Sequence, residues 1–132
     1  MKYYELELNG RTVKLRLTAN DCMVIEGKTG KKLLDYMQDY SMTTVINLLM
    51  YLVRSSVPNF SIKDAGALYD ELIDSPDYGS LESILFNVIY EGMVVSGFLK
   101  KEDLEMMKTA KSQKSQVLKE EIVEEMTQPT QK

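Results

Sequence analysis

The stretch "VIEGKTGKK" carries at its centre Gly27-Lys28-Thr29, the tripeptide that closes a phosphate-binding loop of the G-x-x-x-x-G-K-[ST] kind. Such a loop needs an earlier glycine five positions ahead of Gly27, and Cys22 stands there, with a Cβ that disfavours the phosphate-cradling path. A strand should lead in, whereas "TANDCMVIE" reads as helix, and the lysine should open a helix, whereas Gly30 follows Thr29. The tripeptide therefore reads as a solvated helix exit. Carboxylates come next: Asp70, Glu71 and Asp74 cluster, as do Glu120, Glu121, Glu124 and Glu125. On a helix Asp70 and Asp74 share a face. A metal or two-acid site, however, needs groups converging from several elements with supporting partners, and the spacing provides neither. Both clusters read as solvated faces. The chain has no histidine, so imidazole acid–base chemistry and every triad that needs it are excluded. Its single cysteine, Cys22, permits neither an intrachain disulfide nor a Cys/His zinc site and reads as a small buried side chain. The residue types thus predict no catalytic, cofactor-binding or metal-binding residues.

The rest of the composition points toward contact between proteins. At 132 residues and 44% hydrophobic, the chain can bury one core but not two. A net charge of −4 argues against a phosphate-backbone partner, and basic residues are not interleaved with aromatics as single-strand binders require. No apolar run is long enough to span a bilayer, and the opening Met1–Glu5 lacks the apolar core of a secretory signal, so a cytosolic protein is expected. There are 8 Tyr and 9 Met but no Trp; Met in particular repacks against varied partners. Met50, Tyr51 and Tyr69 are expected in the core. Met93, Phe98, Leu99, Leu104, Met106 and Met107, near the junction of body and tail, are the candidate partner-binding residues.

The elements that would position them follow from periodicity. "KYYELEL" and "RTVKLRL" alternate on either side of Asn9-Gly10, a hairpin signal because both central positions of a type I′ turn need positive φ. A two-residue loop sets Leu8 opposite Arg11, Leu6 opposite Val13, Tyr4 opposite Leu15 and Glu5 opposite Lys14. Thr18 with Asp21 predicts a capped helix leaving at Gly27 or Gly30. Lys31 to Tyr40 predicts a short helix or turn. Ser41 caps "MTTVINLLMYLVRSS", a helix apolar on nearly all sides that belongs in the middle of a core or at a subunit contact, with Pro58 beyond it. Ser61 with Asp64 opens "IKDAGALYDELIDS", and "DSPDYGS" is a loop. The last long helix carries a stripe of Leu81, Ile84, Leu85, Val88, Ile89 and Val95, leaving Phe86, Tyr90, Met93 and Val94 off it; Gly97 follows as the C-terminal cap, with Phe98 folding back. The expectation is an α+β, mainly α fold: an N-terminal β-hairpin packed on a bundle of about four to five helices. One globular domain would cover 1–110 (hairpin 2–17, helices 18–107), and 111–132 would form a polar, mobile tail ordered only against a partner.

In this order, "YYELELNGRTVKLRL", "TANDCMVIEGKTGKKLLDYM", "VINLLMYLVRSS", "SIKDAGALYDELID" and "EGMVVSGFLKKED" resemble the small tail assembly chaperones of long-tailed phages and prophages of Gram-positive bacteria. The resemblance covers roughly 1–105 and rests on word order rather than on a catalytic motif. It implies a mostly helical protein that coats the apolar, helical tape measure protein, keeps it soluble, recruits tail tube protein subunits, and is absent from the mature virion. It also implies a role in the host bacterial cytoplasm, a frameshifted longer product, and no cofactor. On the residues themselves, two helices with more apolar surface than a small monomer hides would supply the binding face, and a homo-oligomer is expected. Neither nucleic acid nor membrane is expected as a partner. A structural tail or connector component, or a small regulatory interaction module, is the alternative.

Overall fold

The computed structural model describes residues 1–110, so the expected tail at 111–132 lies outside the described residues. The chain divides into one compact unit, Met1–Lys100, and a second that begins at Lys101. The first holds strands β1 (Tyr4–Leu8) and β2 (Arg11–Leu15), then helices α1 (Ala19–Thr29), α2 (Leu33–Met37), α3 (Met42–Arg54) and α4 (Ile62–Asp74). A final helical run follows as α5 (Leu81–Ile84), a π-helical turn (Leu85–Ile89) and α6 (Tyr90–Val95). The molecule is mainly α with an N-terminal antiparallel hairpin, as the periodicity predicts. In the second unit, 101–110 is helical.

The hairpin has the register that its turn dictates: Tyr4 pairs with Leu15, Glu5 with Lys14, Leu6 with Val13 and Leu8 with Arg11. Asn9 and Gly10 take φ of 50° and 81°, the left-handed values that a two-residue turn demands. Leu6, Leu8, Leu15 and Leu17 are buried, so the alternation places one face of the ribbon in the core. On the other face Glu5 and Lys14 stand opposite each other without an ion pair between them, and the Lys14 ammonium lies over the Tyr3 ring, 5.8 Å from its centroid.

The helices start where their caps are. Thr18 with Asp21 and Ser61 with Asp64 form complete capping boxes, and the Ser41 hydroxyl accepts from the Thr44 N–H. Of the two glycines that could end α1, Gly30 does so, at φ 71°. α3 is the centre of the core: Val45, Leu48, Leu49, Leu52 and Val53 are all at most 1% exposed. Its N-terminal end is held by a hydroxyl–carboxylate cluster of Ser41, Thr44 and Asp39. Its C-terminal end binds the hairpin, with the Arg16 N–H donating to the Leu52 carbonyl at 2.9 Å and the Ser56 hydroxyl to the Lys14 carbonyl at 2.9 Å. Between the two expectations for an all-round apolar helix, the structure selects the core.

The π-helical turn departs from the expected stripe. The Tyr90 N–H donates to the Leu85 carbonyl, five residues back, so the regular 3.6-residue ladder slips at this point. The slip rotates everything beyond it. Tyr90 and Met93, off the expected stripe, become fully buried, while Val95, on it, is only half-buried. The Tyr90 hydroxyl donates to the Met37 carbonyl at 2.8 Å, and Phe86 meets the Tyr90 ring edge-on at 5.3 Å between centroids. Gly92 sits against α3 and β2; a Cβ there would lie 3.0 Å from Leu52 Cδ2 and 3.6 Å from Leu15 Cβ. Gly97, at φ 85°, closes the run with the predicted cap, the Phe98 N–H returning to the Met93 carbonyl at 3.0 Å.

Candidate partner-binding surfaces

The motif that invited a nucleotide reading sits on the last turn of α1. The Thr29 hydroxyl donates to the Ile25 carbonyl at 2.8 Å and the Gly30 N–H to the Glu26 carbonyl at 2.9 Å, so Gly27-Lys28-Thr29 is spent on ending a helix. Of the acids on α4, Asp70 and Asp74 are exposed, whereas Glu71 is not the solvated group expected of it. Its carboxylate takes both ends of the Arg11 guanidinium, at 2.5 and 2.6 Å, and accepts from the Asn9 amide at 2.5 Å. The Arg11 hydrogen bonds, helped by the Asn9 amide, hold the Glu71 carboxyl down to about 2 against the opposing effect of its partial burial. This fork joins the hairpin turn to α4 across 60 positions of sequence. Among the described residues no group of three His, Cys, Asp or Glu side chains is placed to hold a metal ion.

Of the six candidate partner-binding residues, the structure places two inside and four at least partly outside. Met93 and Leu104 are buried. Phe98, Leu99 and Met107 are half-buried, and Met106 is 68% exposed. The apolar surplus expected on two long helices is not available to a partner, because α3 and the buried side of the final run are covered by the chain itself. Further exposed apolar groups are Met23 and Val24 on α1, Leu34 on α2, Tyr40 and Val57 between helices, and Met42 and Ile62 at the first residues of α3 and α4.

Two grooves collect part of this surface. The first, of about 550 Å³, runs between α1, α2 and the Gly97 cap, with Leu33, Leu34 and Phe98 for its apolar wall and Glu26, Lys32 and Asp35 for its rim. The Glu26 carboxylate is partly committed, accepting from the Leu33 N–H at 3.0 Å, which starts α2 from the side of α1. Cys22 lines this groove and is half-exposed rather than buried, because Ile25 alone anchors α1 in the core. Burial, reinforced by the neighbouring Glu26, pushes the Cys22 thiol above its ordinary value. The second groove, of about 530 Å³, lies between β2, the C-terminal end of α3, and α4, over Val53, Val57, Phe60 and Leu68. A smaller cavity of about 110 Å³ under Tyr36, Asn47 and Tyr51 is too confined for a partner's side chains in number.

Both grooves have an apolar wall and a charged rim. No helix among the described residues is long and apolar enough to cross a membrane. Comparison of the chain with protein-family models, with curated proteins and with solved structures finds no match.

Proposed function

We propose that this chain is a phage tail assembly chaperone: it binds the tape measure protein, keeps it soluble and recruits tail tube subunits, without catalysis. The observation that carries the reading is the ordered set of segments, from the Asn9-Gly10 hairpin through the apolar "VINLLMYLVRSS" to "EGMVVSGFLKKED", which resembles that class along roughly 1–105. The lack of histidine and the acidic balance accord with a protein that works by contact rather than by chemistry. In this mechanism the groove lined by Leu33, Leu34 and Phe98 receives apolar side chains from one stripe of the tape measure helix, while exposed Met106 adapts to differing neighbours. A groove of this size takes few side chains, so each copy binds modestly, many copies cover a long helix, and tube subunits displace them. The work is done in the host cytoplasm, self-association adds to coverage, and the mature virion lacks the chain.

The test is co-expression of the tagged chain with the long helical reading frame that a tail gene cluster would place downstream, combined with mass spectrometry of purified virions. Co-purification of the tape measure protein and absence from virions are expected. A monodisperse monomer that captures no tape measure protein contradicts the proposal, and presence in virions assigns the chain instead to the tail structure.

A further inference from the structure

The two-residue turn decides which main-chain groups of β2 face its partner strand. Leu8–Arg11, Leu6–Val13 and Tyr4–Leu15 are the hydrogen-bonded pairs, so Thr12, Lys14 and Arg16 turn their N–H and C=O groups to the outer edge. Two contacts confirm this parity: the Arg16 N–H reaches the Leu52 carbonyl, and the Lys14 carbonyl accepts from the Ser56 hydroxyl. Among the described residues nothing takes up the Thr12 N–H, the Thr12 C=O or the Lys14 N–H. These three groups open into the groove of about 530 Å³ whose floor is Val53, Val57, Phe60 and Leu68, with Val57 48% exposed. An edge with free donors and acceptors beside an apolar floor is the arrangement that accepts an added strand.

We propose that this groove binds a short extended peptide segment of a partner protein, which adds antiparallel to β2 as a third strand. The segment carries apolar side chains at alternate positions, facing the floor, and an acidic side chain between them on the outer face. Alternation follows from the pleat, because a third strand turns every second side chain toward Val57 and Phe60. The acid follows from charge. Glu71 is taken by Arg11 and Asn9, and Asp64 caps its helix at Ser61, but no carboxylate meets Lys14 among the described residues. A second copy pairing through its own hairpin fits less well, because Leu6, Leu8 and Leu15 stay in its own core and only half-buried Tyr4 and Val13 remain for the floor. Ser56 and Leu52 occupy the edge beyond Lys14, so the ladder is short and binding is weak and reversible. The inference rests on the edge and the groove and is independent of the chaperone reading.

The probe is an acetylated, amidated pentapeptide of threonine, valine, glutamate, valine and threonine, titrated into the full chain labelled with nitrogen-15. In the antiparallel register the glutamate N–H points at Thr12, while the valine N–H groups point away. The expected result is movement of the Thr12, Lys14 and Val57 amide signals. N-methylation of the glutamate should weaken binding by about ten-fold or more, while N-methylation of a valine should leave it nearly unchanged. Val57→Glu, at an exposed position, should weaken binding to a similar degree with the thermal midpoint of the protein unchanged. Any other ranking of the three peptides, or movement confined to the Phe98 groove, overturns the proposal. So does concentration-dependent movement of Thr12 and Lys14 without peptide, which would make a second copy the occupant.

Discussion

Glu71→Gln removes one charge from the fork that ties the hairpin turn to α4 and leaves its shape. The folded carboxyl titrates at about 2 instead of an ordinary 4.5, because the Arg11 guanidinium and the Asn9 amide bind its charged form. At about 1.4 kcal/mol per pH unit, the whole depression is worth roughly 3 kcal/mol. Arg11 is 50% and Glu71 26% exposed at the side chain, so water and salt screen much of this, and about 1 kcal/mol is expected to survive. A depressed carboxyl stabilises the fold above its unfolded value and loses that stability as pH falls through its folded value. The window therefore runs from about pH 5 down to about pH 2. Urea denaturation of both proteins across this range is the assay. Wild type should exceed the variant by about 1 kcal/mol at neutral pH, and the difference should fade toward pH 2. Asp39 and Asp64 are also held below the usual range, chiefly by the Ser41 and Ser61 N–H groups, but they titrate in both proteins and cancel in the difference. A difference that is constant with pH, or one that grows in acid, would refute the assignment of the shift to Arg11.

The remaining predictions concern the core and its boundary. Leu52→Ala removes a fully buried side chain at the meeting of α3, β2 and Gly92 and should cost about 2–5 kcal/mol in chemical denaturation. Tyr90→Phe deletes a buried hydroxyl and orphans the Met37 carbonyl, so a loss of about 1–3 kcal/mol is expected by the same measurement, with helical circular dichroism retained. Met93→Ala should cost about 2–5 kcal/mol, whereas Met106→Ala should stay within about 0.5 kcal/mol; equal effects would contradict their opposite burial.

Local chemistry made much of this fold legible in sequence. Asn9-Gly10 dictates the register of every pair in the hairpin, and Thr18, Ser41 and Ser61 mark three helix starts with the acceptor groups that cap them. The apolar belt of α3 left two readings open, core or subunit contact, because hydrophobicity alone does not say which neighbours cover it. What sequence did not disclose depends on long-range geometry. The π-helical turn is invisible to a 3.6-residue template, and one slipped turn carried Tyr90 and Met93 from the margin of the stripe into the core. Glu71 looked like its acidic neighbours, since nothing local says that Arg11 will arrive from 60 positions away. Cys22 and Leu34 have the composition of core residues but lie on short or thinly anchored helices that leave them at a groove. The open edge of β2 was deducible from the hairpin parity, but its apolar floor required the placement of α4.

The most direct measurement of the chaperone reading is the soluble fraction of the tape measure protein, made alone and beside this chain, with Leu34→Asp and Phe98→Asp as comparisons. The account predicts aggregation of the tape measure protein alone, rescue by the wild-type chain, and weaker rescue by either variant with the variants themselves folded. A tape measure protein equally soluble with and without the chain would contradict it.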